Sequence, residues 1–246
     1  MPCWTLRERA RVSMPRVVAP EWLDHLPGDD PRAIHSRRDL RRINRLMSAT
    51  RLLGEALDPL VAGRKQVRLV EFGAGDGSLM LRLARSRAKS WPPVILDLLD
   101  LQPVVTAETL VRYRALGWTP GVIQADVFDW LGMTSQHEDN DPPIIIANLF
   151  LHHFEGQPLR NLLNGIADRA AAFVAVEPRR SAMALLGSRL LGAIGCNAVT
   201  RHDAVTSVRA GFADRELSNA WPHAGEWVLR EHAAGLFSHR LVAVRA

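Results

Sequence analysis

The stretch Val70-Glu71-Phe72-Gly73-Ala74-Gly75-Asp76-Gly77-Ser78 constrains this chain most, because an apolar run ends in an acid and passes directly into glycines at alternate positions. Gln66 to Phe72 is short, β-branched at two positions and closed off by glycine, the pattern of a buried parallel strand feeding a tight turn. A glycine such as Gly75 lets the main chain take a positive φ and lets a ligand approach with no Cβ in the way. The segment Asp76 to Ala88, apolar at Leu79, Leu83 and Ala84, is expected to be a helix packed back on the sheet. A ligand can then lie across the strand–turn–helix junction.

Spacing narrows the ligand. A dinucleotide fingerprint places glycines at the first, third and sixth positions, and here the sixth is Ser78 and the fifth Gly77. A P-loop needs a Lys-Ser or Lys-Thr pair, and none follows. Acids recur where later strands should end. Val94 to Leu101 carries Asp100 near its carboxyl end, with Asp97 as a rival inside the strand, and Gly121 to Ala125 is followed by Asp126. The fourth run, Ile144-Ile145-Ile146-Ala147-Asn148-Leu149-Phe150, leads into Leu151-His152-His153-Phe154, and Ala172 to Val176 ends in Glu177-Pro178. Open α/β sheets bind ligands outside the carboxyl ends of their strands, so Asn148 and both histidines fall where two reactants would meet.

The glycine loop, the acid after the second strand, Asp126 with Phe128, and the histidine turn resemble class I S-adenosylmethionine-dependent methyltransferases. The likeness covers about Arg64 to Ala246. It implies a Rossmann-like α/β fold: a seven-stranded sheet with helices on both faces, closed by an antiparallel hairpin for which Trp227 to His232 and Ser238 to Ala246 qualify. It also implies S-adenosylmethionine as cofactor. Glu71 would orient the methionyl or ribose end and the Gly73, Ala74, Gly75 and Gly77 loop would receive the cofactor. Asp100 beside Leu101 would take the ribose hydroxyls, Asp126 beside Val127 the adenine amine, and Asn148 and Leu149 would complete the set. A plain capping role for Asp126 remains open beside this one.

The region before the core reads differently. Residues 1–20 contain three prolines and no periodic pattern, so they are expected to be mobile, with Met14 as an alternative start. Ser36 looks like an N-cap with Asp39 three residues on, ahead of Leu40, Ile43, Leu46, Met47, Leu53 and Leu57 at helical spacing. The resemblance implies that residues 21–63 are a helical cover over the cleft of a catalytic domain at 64–246, with the role placed on 33–60, ordinary packing of the same apolar stripe being the alternative. Arg32, Arg37, Arg38, Arg41, Arg42 and Arg45 crowd the polar face, and the chain carries a net charge of +5. RNA, an acidic carrier protein or an anionic membrane surface would suit that face, as would plain solvation. No aromatics alternate with the arginines as a nucleic-acid stacking platform requires, which disfavours nucleic acid.

At 246 residues and 47% apolar, the chain can bury a sizeable core. It has no apolar run of about 18 residues and no signal-peptide block, and Cys3 and Cys196 are too few for a disulfide framework, so a cytoplasmic protein is expected. The resemblance also implies that a stretch between the fifth and sixth strands, residues 201–222, builds the substrate wall, with His202 and Arg209 aimed at the acceptor along with Met47 and His153.

By resemblance, the reaction is methyl transfer to a small organic acceptor, an aromatic or polyketide-like hydroxyl of secondary metabolism. Phenolic hydroxyls ionise near pH 10, so a histidine suits as base. His153 is preferred, then His202, with His152 as the third candidate. The acids are already assigned to cofactor, so no metal is expected. An RNA or protein methyltransferase and a non-catalytic nucleoside-binding module are the alternatives. Amine-directed RNA methylation is disfavoured because Asn148-Leu149-Phe150-Leu151 lacks an Asn/Asp-Pro-Pro-aromatic tetrapeptide.

Overall fold

A computed structural model describes residues 14–133 and 142–246. The chain runs α1 (Pro31–Leu46), α2 (Ala49–Val61), β1 (Val67–Phe72), α3 (Ser78–Arg87), β2 (Val94–Asp100), α4 (Ala107–Ala115), β3 (Trp118–Gln124), α5 (Val127–Gly132) and β4 (Ile144–Asn148). It continues with α6 (Gly156–Arg169), β5 (Ala172–Pro178), α7 (Ala182–Arg189), α8 (Ala198–Ala210), α9 (Glu216–Ala220), β6 (Trp227–Ala234) and β7 (Ser238–Arg245).

The strands form one seven-stranded sheet in the order β3-β2-β1-β4-β5-β7-β6. The first five are parallel, and β7 slots antiparallel between β5 and β6. The α/β fold expected from the sequence is the fold observed. Strand order reverses between β1 and β4, and it is at such a switch point that the loops at the carboxyl ends part and leave a crevice.

The central strands are buried on both faces, so their residues divide by parity between two cores. Leu69, Ile144, Ile146, Val174 and Val176 face a layer containing Leu53, Leu57, Met80 and Leu83. Val70, Ile145, Phe173 and Ala175 face Leu162, Leu163, Ile166, Phe212 and Trp221.

β3 begins three residues earlier than its expected start at Gly121 because it is an edge strand, where the missing N–H of Pro120 faces no partner. Asp97, the rival ribose candidate, is engaged along the sheet instead, accepting from Arg68 at 2.9 Å.

The amphipathic stretch expected as one helix from Ala33 to Leu60 is two. The chain breaks at Met47 and Ser48, where Ser48 takes a φ of 56°. Ser36 is not the N-cap. That position belongs to Asp30, whose side chain accepts from the Arg32 N–H, with Pro31 in the first turn. Ser36 and Asp39 are buried inside α1, where Ser36 Oγ meets Thr200 Oγ1 at 2.9 Å and Asp39 accepts from the Asn197 N–H at 2.8 Å. The polar pair mimicked a cap in sequence because it serves as a contact to the start of α8. The apolar stripe also divides: α2 joins the core, while α1 borders the cleft.

Residues 1–13 of the segment expected to be mobile, Cys3 among them, lie outside the described residues. Residues 14–20 do not behave as a free tail. Val17 N–H donates to Arg209 O at 3.0 Å, and Arg16 donates to the carbonyls of Ala210 and Phe154 at 2.7 and 2.9 Å. Among the described residues no helix is long and apolar enough to cross a membrane.

Burial separates two otherwise similar truncations. Ile145→Ala, at a fully buried position, should lower unfolding free energy by about 2–5 kcal/mol. Leu46→Ala, 63% exposed, should change it by no more than about 0.5 kcal/mol. Urea denaturation of the two variants checks both.

Candidate active site

The crevice between β1 and β4 opens into a cleft of about 440 Å³. Its floor is the glycine loop with Glu71, and its sides are the ends of β2, β3 and β4. The opposite wall is the cleft face of α1, Arg37, Leu40, Arg41 and Asn44, together with the strap that precedes α1 at Glu21, Leu23 and Asp24.

The loop residues hold unusual backbone for good reason. Gly73 has a φ of 64°, and a Cβ there would meet the Phe150 ring at 2.6 Å. Gly75 has a φ of 54° and nothing within 4 Å of where a Cβ would stand, so a side chain at that position would enter open space. Leu149 adopts a φ of 53° directly after β4, an uncommon conformation for a leucine, and it borders the cleft.

Three carboxylates converge on the floor in different states. Asp100 accepts from Gly75 N–H at 2.8 Å and from Gln102 N–H at 2.9 Å, tying the glycine loop to the end of β2. Asp126 caps α5 by accepting from Phe128 N–H at 2.7 Å and also borders the cleft, so its capping and cleft-facing roles coexist. Glu71 is almost wholly buried, and its Oε2 has no hydrogen-bond partner among the described residues. Burial, and then the neighbouring charges of Asp100 and Asp76, push its pKa well above the usual carboxylate range. Asn148 is similar: its Nδ2 donates to Asn44 at 3.3 Å while its buried Oδ1 finds no partner among the described residues. Ala74, Leu101, Val127 and Leu149 border the same space, and Gly77 lies just behind it at the start of α3, with its carbonyl held by the Tyr113 hydroxyl.

The histidines separate by environment. His152 is buried between two carboxylates, with Nδ1 2.8 Å from Glu177 Oε2 and Nε2 3.2 Å from Glu21 Oε1. Burial alone would lower its pKa, but the hydrogen bonds and charges of Glu177 and Glu21 outweigh it and raise the value to about 9. Carboxylates at both ring nitrogens favour the protonated form of His152 over service as a general base, the role in which the sequence placed it third. His153 is a quarter exposed, borders the cleft and has Asp24 Oδ2 3.3 Å from its Nδ1.

Of the other residues aimed at the acceptor, His202, Arg209 and Met47 do not border the cleft. His202 stacks on Trp22 at 3.9 Å and binds Asp203. Asp203 accepts from Trp22 and Leu23 N–H, so this face of α8 anchors the strap instead of facing an acceptor. Ser207, one turn on, reaches the cleft and donates to Glu21.

Sequence reasoning missed Glu21 and Asp24 as cleft residues, because nothing in the composition of residues 14–30 marks them. It missed the role of Glu177 although an acid ending the fifth strand was visible. The arginine face divides: Arg37 donates to Gly28 O and Gln102, Arg41 pairs with Asp76 and Arg32 with Asp30, while Arg38, Arg42 and Arg45 are exposed.

No protein-family model matches the sequence, and no curated protein does. Solved structures with the same fold do match. The plantazolicin methyltransferase BamL, in complex with a triazolic desmethylPZN analog and SAH, is 11% identical; the match covers 91% of this chain and 92% of that one with a TM-score of 0.62. The plantazolicin methyltransferase BpumL in complex with SAH is also 11% identical, with 89% and 92% covered and a TM-score of 0.60. The pyocyanin biosynthetic protein PhzM is 17% identical over 92% of this chain and 62% of its own, with a TM-score of 0.57. The chain thus has the α/β fold of S-adenosylmethionine-dependent methyltransferases.

The His152 arrangement has a pH signature. A folded pKa near 9 against about 6.5 unfolded means the stabilisation is complete below about pH 6.5 and is lost as pH rises through about 9. The thermal midpoint should therefore fall between pH 7 and pH 9.5. In Glu21→Gln, which removes one charged hydrogen bond worth about 1.5–3 kcal/mol, the midpoint should start lower and fall less. Calorimetry of both proteins at the two pH values checks this.

Proposed function

We propose that the protein transfers a methyl group from S-adenosylmethionine to a hydroxyl of a small organic acceptor. The observation that carries this reading is the cleft floor. Glu71, a buried carboxyl whose Oε2 has no partner among the described residues, stands at the head of a glycine turn open to ligand, flanked by acids at the ends of β2 and β3.

That floor fits the cofactor. Glu71 holds the cationic end, and the ligand's positive charge offsets the burial and the neighbouring charges of Asp100 and Asp76 that disfavour its ionised form. Asp100 and Asp126 receive the ribose hydroxyls and the adenine amine, and Gly75 leaves its open space to the ligand. When bound, the cofactor supplies an electrophilic methyl on a sulfonium.

The acceptor end lies beyond Asn148, between Phe150, Phe154 and the strap at Leu23 and Asp24. Phenylalanine walls set beside polar groups such as His153 and Asp24 suit a small organic acceptor. Such a transfer needs chiefly positioning of the two reactants and removal of the hydroxyl proton. His153 takes that proton, with Asp24 beside its Nδ1 to orient the ring and stabilise the imidazolium. The solved neighbours support a small acceptor, since BamL is in complex with a desmethylPZN analog and PhzM is a pyocyanin biosynthetic protein. Docking of RNA through α1 is less favoured, because Arg32, Arg37 and Arg41 are engaged within the molecule.

Two substitutions test the cofactor site. Gly75→Leu should abolish SAH binding measured by calorimetry, because its side chain would enter the cleft, at a folding cost of only about 1–2 kcal/mol for the left-handed backbone. Glu71→Gln, of the same size, should fold normally and weaken SAH binding at least about tenfold, the loss of one charged contact. For the reaction, methyl-labelled S-adenosylmethionine incubated with a cell extract should give organic-soluble label. His153→Ala should reduce its rate by about 10²–10⁴. Label found only in acid-precipitable material would move the assignment to RNA or protein.

A further inference from the structure

We propose that Glu21, His152 and His153 form a binding site for a divalent transition-metal cation at the acceptor end of the cleft. One ligand atom from each of the three lies within 4.8 Å of the others. Atoms bound to one ion at about 2.0–2.2 Å stand about 3–4.4 Å apart, so modest side-chain rotation closes the set. Two imidazoles and a carboxylate suit zinc, iron or another imidazole-binding metal better than magnesium or calcium, which favour oxygen alone.

Support around the ligands has the form that metal histidines need. A ring that binds metal through one nitrogen is generally oriented by a carboxylate on the other. Glu177 does this for His152: fully buried, it lies 2.8 Å from Nδ1 and leaves Nε2 directed at Glu21. Glu177 is itself held by the N–H groups of Phe150 and Leu151 at 3.0 and 2.9 Å. Asp24 flanks His153, and Ser207 donates to Glu21. Adjacent imidazole rings, 4.3 Å between centroids, would repel one another if both were charged, whereas a bound cation would displace the Nε2 proton of His152 to solvent and take one lone pair from each ring. Its charge would be balanced by Glu21 and Asp24.

Three protein ligands leave positions open toward the cleft, which all of these residues border. The consequence for catalysis rests on the methyl-transfer reading; the binding does not. With the ion in place, His153 becomes a ligand, and the ion replaces it in easing ionisation of the acceptor hydroxyl. It would also pin the strap, through Glu21, to the turn after β4.

The test uses the full chain, freed of any affinity tag and stripped by chelator, titrated with Zn²⁺ by calorimetry, with Mg²⁺ in parallel. A single Zn²⁺ site per chain is expected at micromolar affinity or tighter, with no Mg²⁺ binding. His153→Ala should weaken it at least about tenfold, and Glu21→Gln similarly. His153 is a quarter exposed, so its variant should fold, which circular dichroism verifies. Co²⁺ in place of Zn²⁺ should give a visible absorption band that His153→Ala alters. No Zn²⁺ uptake by the wild type, or equal uptake by a folded His153→Ala, overturns the site and leaves an ion-paired histidine cluster. SAH binding by the stripped protein is measured separately. Its loss with Zn²⁺ binding intact would sink the methyl-transfer reading and spare the site, and the reverse result would do the opposite.

Discussion

Glu177 is the group on which the arrangement of the cleft depends. It ends β5 fully buried, and a carboxylate taken out of water must find donors or be strongly destabilising. It finds them in the turn that follows β4, through the N–H groups of Phe150 and Leu151 and the ring of His152. Neighbouring strand ends are thereby joined by one side chain. Through His152 the linkage continues to Glu21, and from there to the strap and α8. A charge buried at the sheet thus reaches the cover that lies across the cleft.

The same device recurs at the far side of the sheet. Glu231 on β6 accepts from Leu217 and Ser218 N–H and from His239 on β7, fastening α9 to the hairpin. In both places a carboxylate gathers consecutive backbone donors and one imidazole. Glu71 differs from Glu177 and Glu231: it lies at the switch point with an oxygen that has no partner among the described residues, beside the charges of Asp100 and Asp76. Unpaired buried polar groups are few in native proteins because each is costly, and this one at the mouth of a glycine turn is what the proposed cofactor site rests on.

Much of the fold was legible because buried parallel strands announce themselves. Ile144 to Asn148 and Ala172 to Pro178 are apolar throughout their middles, Val67 to Phe72 is apolar but for Arg68 and Glu71, and each meets a turn signal at its carboxyl end. The floor of the site followed, since Glu71, Asp100, Asp126 and Asn148 are placed by strand ends. The acceptor end was less legible. His202 and His152 look alike in sequence, yet one stacks on Trp22 and the other is buried between two acids. Ser36 and Asp39 imitated a cap because short polar side chains satisfy backbone donors equally well in their own helix or in another, here at the start of α8.

What the sequence alone determined was therefore local and periodic: strand identity by apolar runs, the glycine turn by its spacing, and the acids by their place at strand ends. What only the tertiary structure decided was which distant segments meet. Glu21 and His152 are 131 positions apart, and Asp203 lies 180 from Leu23, separations at which no pattern in the chain records proximity. The protonation of His152 and the partnering of the arginines on α1 depend on those meetings, because electrostatic energy depends on separation and burial in space, which the chain acquires only on folding.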